Sequence, residues 1–275
     1  MGTIRRGRSK SFRHAAILLI SLLFLSCEEV IDIDLDEVHD QIVIEGVLSD
    51  NHTLNKIKIS MTESIFQKSQ PKDIRGAQVT ISDDAGNSET LAETQPGLYL
   101  PAKTYPIAPR IYTLRVEVNG MQYTAVSNMP SPMTMDSIKH TDVNTFWGFF
   151  SETKLQYYLT NKPGVEEYCL IKAYNQNSTS FYWTLYSDKY SDGQQVIVNS
   201  PSFSPTGNVI RIELISIDKA TYEYFHSLRE IIGEGDIEVS DFFKIKDFNP
   251  KSNLSNNALG YFSAQAQRNY QVYLQ

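Results

Sequence analysis

Cysteine is scarce: 275 residues hold two, Cys27 and Cys169. A scaffold stapled by several disulfides is therefore excluded, and the fold must rest on its hydrophobic core. Cys169 lies between Tyr168 and Leu170 in an apolar run, the setting of a small core residue rather than a nucleophile. Histidine is also sparse, with His14, His39, His52, His140 and His226 scattered and none in a His-Glu-x-x-His helix or at metal-ligand spacing. No metal site is expected. There is no Gly-x-Ser-x-Gly elbow and no glycine-rich phosphate loop. Gly233-Glu234-Gly235 lacks a third glycine, and its acid would repel a phosphate. No catalytic residue can be named from motif. The apolar run Ala15 to Leu25 falls short of the roughly 20 residues a membrane-crossing helix needs.

That short run has a context. Arg5, Arg6, Arg8, Lys10 and Arg13 precede it and Ser26-Cys27 follows, the three-part layout of a cleaved export signal over residues 1–26. Leu23-Phe24-Leu25-Ser26-Cys27 resembles the lipobox of bacterial lipoproteins, with Phe24 where that pattern prefers Leu. The resemblance implies a covalent lipid on Cys27, no other cofactor, and an outer-membrane anchor made of acyl chains. At about 0.8 kcal/mol per buried methylene, two or three chains hold a soluble body on a bilayer. Residues 27–40 then read as a lipidated acidic tether. Glu28, Glu29, Asp32 and Asp34 lead it, and it resembles the acidic export signal of Bacteroidota surface lipoproteins. The same alternation with Ile31, Ile33 and Leu35 also suits an exposed first strand.

Without the five basic residues of the leader, 20 Lys plus Arg stand against 32 Asp plus Glu, a net charge near −12. Nucleic acid and anionic lipid headgroups are poor ligands for such a chain.

From Gln41 onward the chain reads as mainly β. Ile42 to Leu48, Lys56 to Ser60, Ala77 to Ile81, Ser88 to Ala92 and Tyr112 to Val118 are short strands at regular spacing. Asn119-Gly120 between two alternating runs marks a tight hairpin, because both central residues of a type I′ turn need positive φ. An immunoglobulin-like or prealbumin-like β-sandwich is expected over 41–128. Met129-Pro130-Ser131-Pro132 breaks the ladder pattern, which places a linker at 129–137. A second β-rich domain is expected over 138–275. It carries one packed helix near 219–232, capped by Asp218 and stopped by Gly233, with Tyr224, Phe225, Leu228, Ile231 and Ile232 on one face.

Several residues are candidates for contact or modification. Phe146, Trp147 and Phe149 follow a loop, and Trp183 sits in the strand Phe181 to Ser187; each reads as a binding surface or as core. Asp188 and Asp192 in Ser187-Asp188-Lys189-Tyr190-Ser191-Asp192-Gly193 suit a hairpin tip better than a calcium loop, since the distal ligand series is missing. Asp136-Ser137-Ile138 looks like the short acceptor for O-glycosylation of exported Bacteroidota proteins, on Ser137.

Taken in order, Ser26-Cys27-Glu28-Glu29, Val43-Ile44-Glu45-Gly46, Gly76-Ala77-Gln78-Val79, Gly97-Leu98-Tyr99, Tyr123-Thr124-Ala125, Asn249-Pro250 and Leu259-Gly260-Tyr261-Phe262-Ser263-Ala264 resemble the Bacteroidota lipoprotein family called domain of unknown function 4249. Members often carry Gly-Gly where this chain has Asn256-Asn257, and asparagine is the usual substitute at positive φ. The resemblance implies an outer-membrane lipoprotein frequently encoded near a TonB-dependent receptor, and supplies no catalytic residues. The expected function is a surface-exposed accessory or binding subunit of a TonB-dependent nutrient transporter, with that receptor as partner. The alternative is a stand-alone binder of glycan, surface polymer or a small nutrient. A hydrolase built on two carboxylates is a further alternative, because their separation is spatial and does not show in sequence.

Overall fold

The computed structural model describes residues 41–62, 72–145, 150–205, 207–232 and 249–274. The strands are β1 (Ile42–Ser49), β2 (Lys56–Met61), β3 (Lys72–Asp73), β4 (Gln78–Asp83), β5 (Ser88–Gln95), β6 (Leu98–Leu100), β7 (Arg110–Val118) and β8 (Met121–Met129), then β9 (Met135–Thr145), β10 (Phe150–Thr160), β11 (Tyr168–Tyr174), β12 (Phe181–Ser187), β13 (Gln195–Asn199), β14 (Val209–Ile217) and β15 (Leu259–Tyr273). The helix α1 covers Lys219–Ile232. The protein is mainly β, as the sequence leads one to expect. A large mixed sheet runs β12-β11-β14-β15-β1-β2-β6-β5-β4-β7-β8, with β3 added to β2, and a smaller sheet runs β13-β10-β9.

Local chemistry sets the turns. Asn119 (φ 52) and Gly120 (φ 75) both take the left-handed conformation, and Val118 pairs with Met121 across the tight loop between β7 and β8. Asp83 closes the next hairpin by accepting from the backbone N–H of Ala85 and Asn87 and from the Asn87 side chain. Asn256 (φ 56) and Asn257 (φ 54) hold a left-handed pair, a conformation that asparagine accepts more readily than other residues with a side chain.

Alternating apolar positions of β1, β2, β4, β7 and β8, among them Ile44, Ile57, Val79, Leu114 and Ala125, form the first core. This core is finished by residues from the other end of the chain: Leu254, Ala258, Phe262, Ala264 and Ala266. The strand that brings them, β15, pairs in parallel with β1 from Val43↔Leu259 to Ser49↔Gln265. It then pairs antiparallel with β14 from Ser216↔Ala266 to Val209↔Tyr273. One strand therefore serves both halves.

The break expected at 129–137 is not there. Met129 ends β8, Met135 to Ser137 open β9, and Met129, Met133 and Met135 are buried. Asp40–Gln275 forms one compact unit, because 41–128 leaves its core open until β15 closes it. The apolar stretches Leu259 to Ala264 and Tyr270 to Tyr273 belong to this one strand.

In the second half β11 sorts its side chains to two faces. Cys169, Ile171 and Ala173 pack with Leu155, Tyr157, Leu159 and Val198 of the smaller sheet. Leu170 packs the other way with Leu185, Ile215 and Ile217, against Tyr222 and Phe225 of α1. The helix has the bounds that its periodicity gives, and the Thr221 N–H donates to Asp218 Oδ1 at 2.9 Å as an N-cap. Asp218 Oδ2 also accepts from Ser127 Oγ (2.7 Å) and the Asn128 N–H (2.9 Å), fixing the start of α1 to the end of β8. Gly233, the expected stop, lies outside the described residues.

Candidate functional site

A cleft of about 780 Å³ opens where α1 lies over the ends of β11 and β12, within the size range of small-ligand sites. Three segments build its walls. The turn 164–166 leads into β11; the loop 187–192 leaves β12; and α1 supplies the half-buried Tyr222, Glu223 and His226. Lys251 closes one end, its N–H donating to Ser227 Oγ at 2.8 Å and its ammonium paired with Glu223.

Most polar groups in the cleft are already engaged. Glu166 accepts from Tyr168 Oη at 2.8 Å and lies 3.9 Å from the Lys219 ammonium. Asp192 accepts from the Gly164 N–H at 2.8 Å. His226 Nδ1 stands 3.6 Å from Glu230, one helical turn on. Asp188 differs. Its residue is 3 % exposed, and its Oδ2 meets no hydrogen-bond donor. The rings of Tyr168 and Tyr222 lie 5.0 Å apart at a tilt of 46°. Burial first, and then the hydrogen bond and charge of Glu166, push the Tyr168 phenol up to about 12, so it stays a neutral donor.

The loop 187–192 was legible as a turn only. Its two flanking strands belong to different sheets, β12 beside β11 and β13 beside β10, so the segment crosses between sheets rather than closing a hairpin. That crossing is what carries Asp188 into the cleft wall. Among the described residues no group of three or more His, Cys, Asp and Glu converges as a metal site would.

The other candidates are dispersed. Trp183 is half-buried, its ring edge-on to Phe225 of α1 at 6.2 Å, so it supports the helix from beneath. Ser137 is exposed on β9 opposite Tyr158, while the neighbouring Asp136 accepts from Thr160 Oγ1 (2.7 Å) and Gln195 Nε2 (3.0 Å). Phe146, Trp147 and Phe149, and Cys27, Glu28, Glu29, Asp32 and Asp34, lie outside the described residues. Cys169 is a fully buried free thiol, and burial, then the charge of Glu167, pushes its pKa up. It is a core residue.

A second hollow, of about 370 Å³, lies beside Glu89 and Arg110. Its carboxylate is spent on the chain itself: Glu89 accepts from the N–H groups of Ala102, Lys103 and Thr104 and from Thr104 Oγ1. The hollow is a loop clamp.

Five of the motifs that carry the family resemblance, those at 43–46, 76–79, 97–99, 123–125 and 259–264, supply no residue to the cleft wall. Ile44 pairs with Gly260 and Gly46 with Phe262 across β1 and β15. The Ala77 N–H donates to Tyr99 Oη at 2.9 Å, and Glu93 accepts from the N–H groups of both Gly76 and Gly97. The Thr124 N–H donates to Ser255 Oγ at 2.8 Å. All are junctions of the first core. The sequence profile described as Domain of unknown function (DUF4249) matches residues 28–271. The chain belongs to this family. No curated protein matches this DUF4249 chain. These junction residues help to close the fold, and the cleft residues Asp188, Tyr222 and Glu223 lie in none of the motifs that suggested the family. Sequence reasoning weighed Asp188 only as a calcium ligand or turn residue. The signal it lacked was the crossing of sheets.

Proposed function

We propose that this DUF4249 chain is a cell-envelope lipoprotein, anchored in the outer membrane through acyl chains on Cys27. In this reading it is displayed at the cell surface as an accessory or binding subunit of a TonB-dependent nutrient transporter. The cleft under α1 is the observation that carries the binding role: a concave site of small-ligand size, lined by tyrosine rings, carboxylates and amines. Binding is preferred to hydrolysis on the state of its carboxylates. Glycoside cleavage needs two carboxyl groups free to act together. Here Glu166 accepts from Tyr168, Asp192 accepts from the Gly164 N–H, Glu223 pairs with Lys251 and Glu230 stands by His226, so each of these carboxylates is tied to a neighbour.

The test is affinity purification of the full-length lipoprotein from detergent-solubilised outer membrane. A β-barrel receptor is expected to co-purify. Recovery of the lipoprotein without any such receptor overturns the transporter assignment.

A stand-alone glycan binder draws on a different observation, the exposed edge of β12. Phe181 and Tyr182 are 42 % and 37 % exposed there, and Tyr190 just beyond is 88 % exposed. Such rings stack on sugar faces as well as on protein, and retention on a glycan column lost in Tyr182→Ala and Tyr190→Ala would favour this reading.

A further inference from the structure

The large sheet ends in β8 on one side and β12 on the other, and the chain treats these two edges differently. An open edge offers a row of unpaired N–H and C=O groups on which another strand can form, and natural sheets block it with caps, charges, bulges or very short strands. The β8 edge is closed. The Ser255 N–H donates to the Thr124 carbonyl at 2.8 Å, the Thr124 N–H donates to Ser255 Oγ, Asn256 Nδ2 donates to the Gln122 carbonyl, and the Asn128 N–H donates to Asp218. Positions 122, 124 and 128 share one side of the strand, so the caps run along its free edge. β3, beside β2, is two charged residues long, and β9, at the edge of the smaller sheet, carries Asp136, Lys139 and Asp142. β13, the other edge of the smaller sheet, is uncharged but only five residues long, with Ile197 as its large exposed side chain.

β12 has none of these defences. Phe181–Ser187 contains no charge, proline or glycine, and it pairs with β11 from Tyr168↔Ser187 to Tyr174↔Phe181 without a bulge. Among the described residues, no backbone group of 181–187 is bonded outside that pairing, and the rings of Phe181 and Tyr182 are exposed on it. Two properties select a second copy of this chain as the strand that covers it. One is charge: 32 Asp plus Glu stand against 25 Lys plus Arg, so two copies repel in general, and β12 is a neutral stretch on which they can meet. The other is symmetry. Identical antiparallel strands close on a two-fold axis, and with that axis at Thr184 all seven residues of each strand overlap. Tyr182 then faces Tyr186 of the second copy, and Trp183 faces Leu185 of the second copy. Just outside the strand, Asp188 and Lys189 fall opposite the neutral Ser180 and Thr179, so no like charges are opposed.

We propose that the protein is a two-fold symmetric dimer in which β12 of each copy pairs antiparallel with β12 of the other, joining the two large sheets into one. The inference is independent of the transporter and of the cleft, and it assigns the exposed rings of β12 to a protein contact in place of a glycan.

The test is light scattering coupled to size exclusion on the detergent-solubilised full chain, with the detergent mass subtracted. Wild type is expected at the mass of two chains. Thr184→Lys, which sets two ammonium groups face to face on the axis, is expected at the mass of one. Directly opposed antiparallel residues have Cα atoms about 4.5–5.5 Å apart, within disulfide reach. Oxidised Thr184→Cys is therefore expected to run as a linked dimer on a denaturing gel, while Lys139→Cys on β9 stays single; Cys169 is buried and does not compete. The inference is overturned by a one-chain mass for wild type at every concentration, by a dimer that Thr184→Lys leaves whole, or by linkage through Lys139→Cys equal to that through Thr184→Cys. If Thr184→Lys fails to fold by circular dichroism, Tyr182→Lys decides: a one-chain mass supports the edge contact, and an undiminished dimer overturns it. A monomeric wild type retained on a glycan column through Tyr182 overturns the inference in favour of the glycan reading.

Discussion

At the scale of single residues, the most constrained position is Gly260. Its φ is +91, and a Cβ there would lie 2.2 Å from the Ile44 carbonyl oxygen across the β1–β15 ladder. Gly86 provides a matched control, with φ +88 and nothing within 4 Å of the same added atom. Gly86→Ala is expected to cost the backbone term only, about 1–2 kcal/mol. Gly260→Ala adds a clash with main chain that cannot swing aside, for a total of about 4 kcal/mol or more. Urea denaturation of the two variants checks this, and equal losses would show that close approach is not what Gly260 provides. Gly46 acts on the same junction by another route: a Cβ would sit 2.8 Å from Phe262 Cδ2 and 2.9 Å from Ile57 Cδ1, so the missing side chain makes room for the Phe262 ring in the first core. Residue-level chemistry of this kind was partly readable in advance. Asn119-Gly120 and Asn256-Asn257 announce positive φ because only glycine and asparagine accept it cheaply. Gly46 and Gly260 announce a special backbone, but not the partner strand that demands it.

At the scale of elements, periodicity performed well wherever one face alone is buried. β7 and β8 alternate cleanly, and α1 keeps its apolar positions on one side. β9 was missed because its sequence, Met135 to Thr145, is polar along most of its length, and over 135–142 Met135 is buried while Ile138 and His140 are partly so. β15 does not read as one strand because Gln265 and Gln267 are buried polar residues between its two apolar stretches, and a buried polar run looks like loop. Asp218 is the residue on which elements are joined. It caps α1 and binds Ser127 and Asn128 at the end of β8, and Ser127 Oγ in turn accepts from the Ala264 N–H of β15 at 2.9 Å. Asp218→Ala is expected to cost about 2–4 kcal/mol, the sum of a lost cap and two lost charge-assisted hydrogen bonds. An exposed-surface cap alone would cost only about 1 kcal/mol, so the urea midpoint separates the two cases.

At the scale of the whole molecule, the strand content was legible and the wiring was not. Proline-rich Met129 to Pro132 reads as a boundary because proline ends ladders, yet ending a ladder does not end a core. The parallel pairing of β1 with β15 spans almost the entire described chain, and no local pattern reports a partner so distant. The fragment 41–128 is therefore expected not to fold alone. Its amide spectrum in solution should show the narrow dispersion of an unstructured chain, whereas a dispersed spectrum with cooperative melting would mean that the first core does not need Phe262 and its neighbours. The cleft was invisible for a related reason, since Asp188, Tyr222 and Lys251 come from separate segments that approach one another only after the sheets have formed.

The position of β15 in the chain has a further consequence for how the protein is made. The strand that locks the first core is made after every other strand described, so each earlier segment leaves the ribosome without the partner that would fix it. The first half then stays loose until β15 follows, and the order of the strands alone sets the moment at which its core can close.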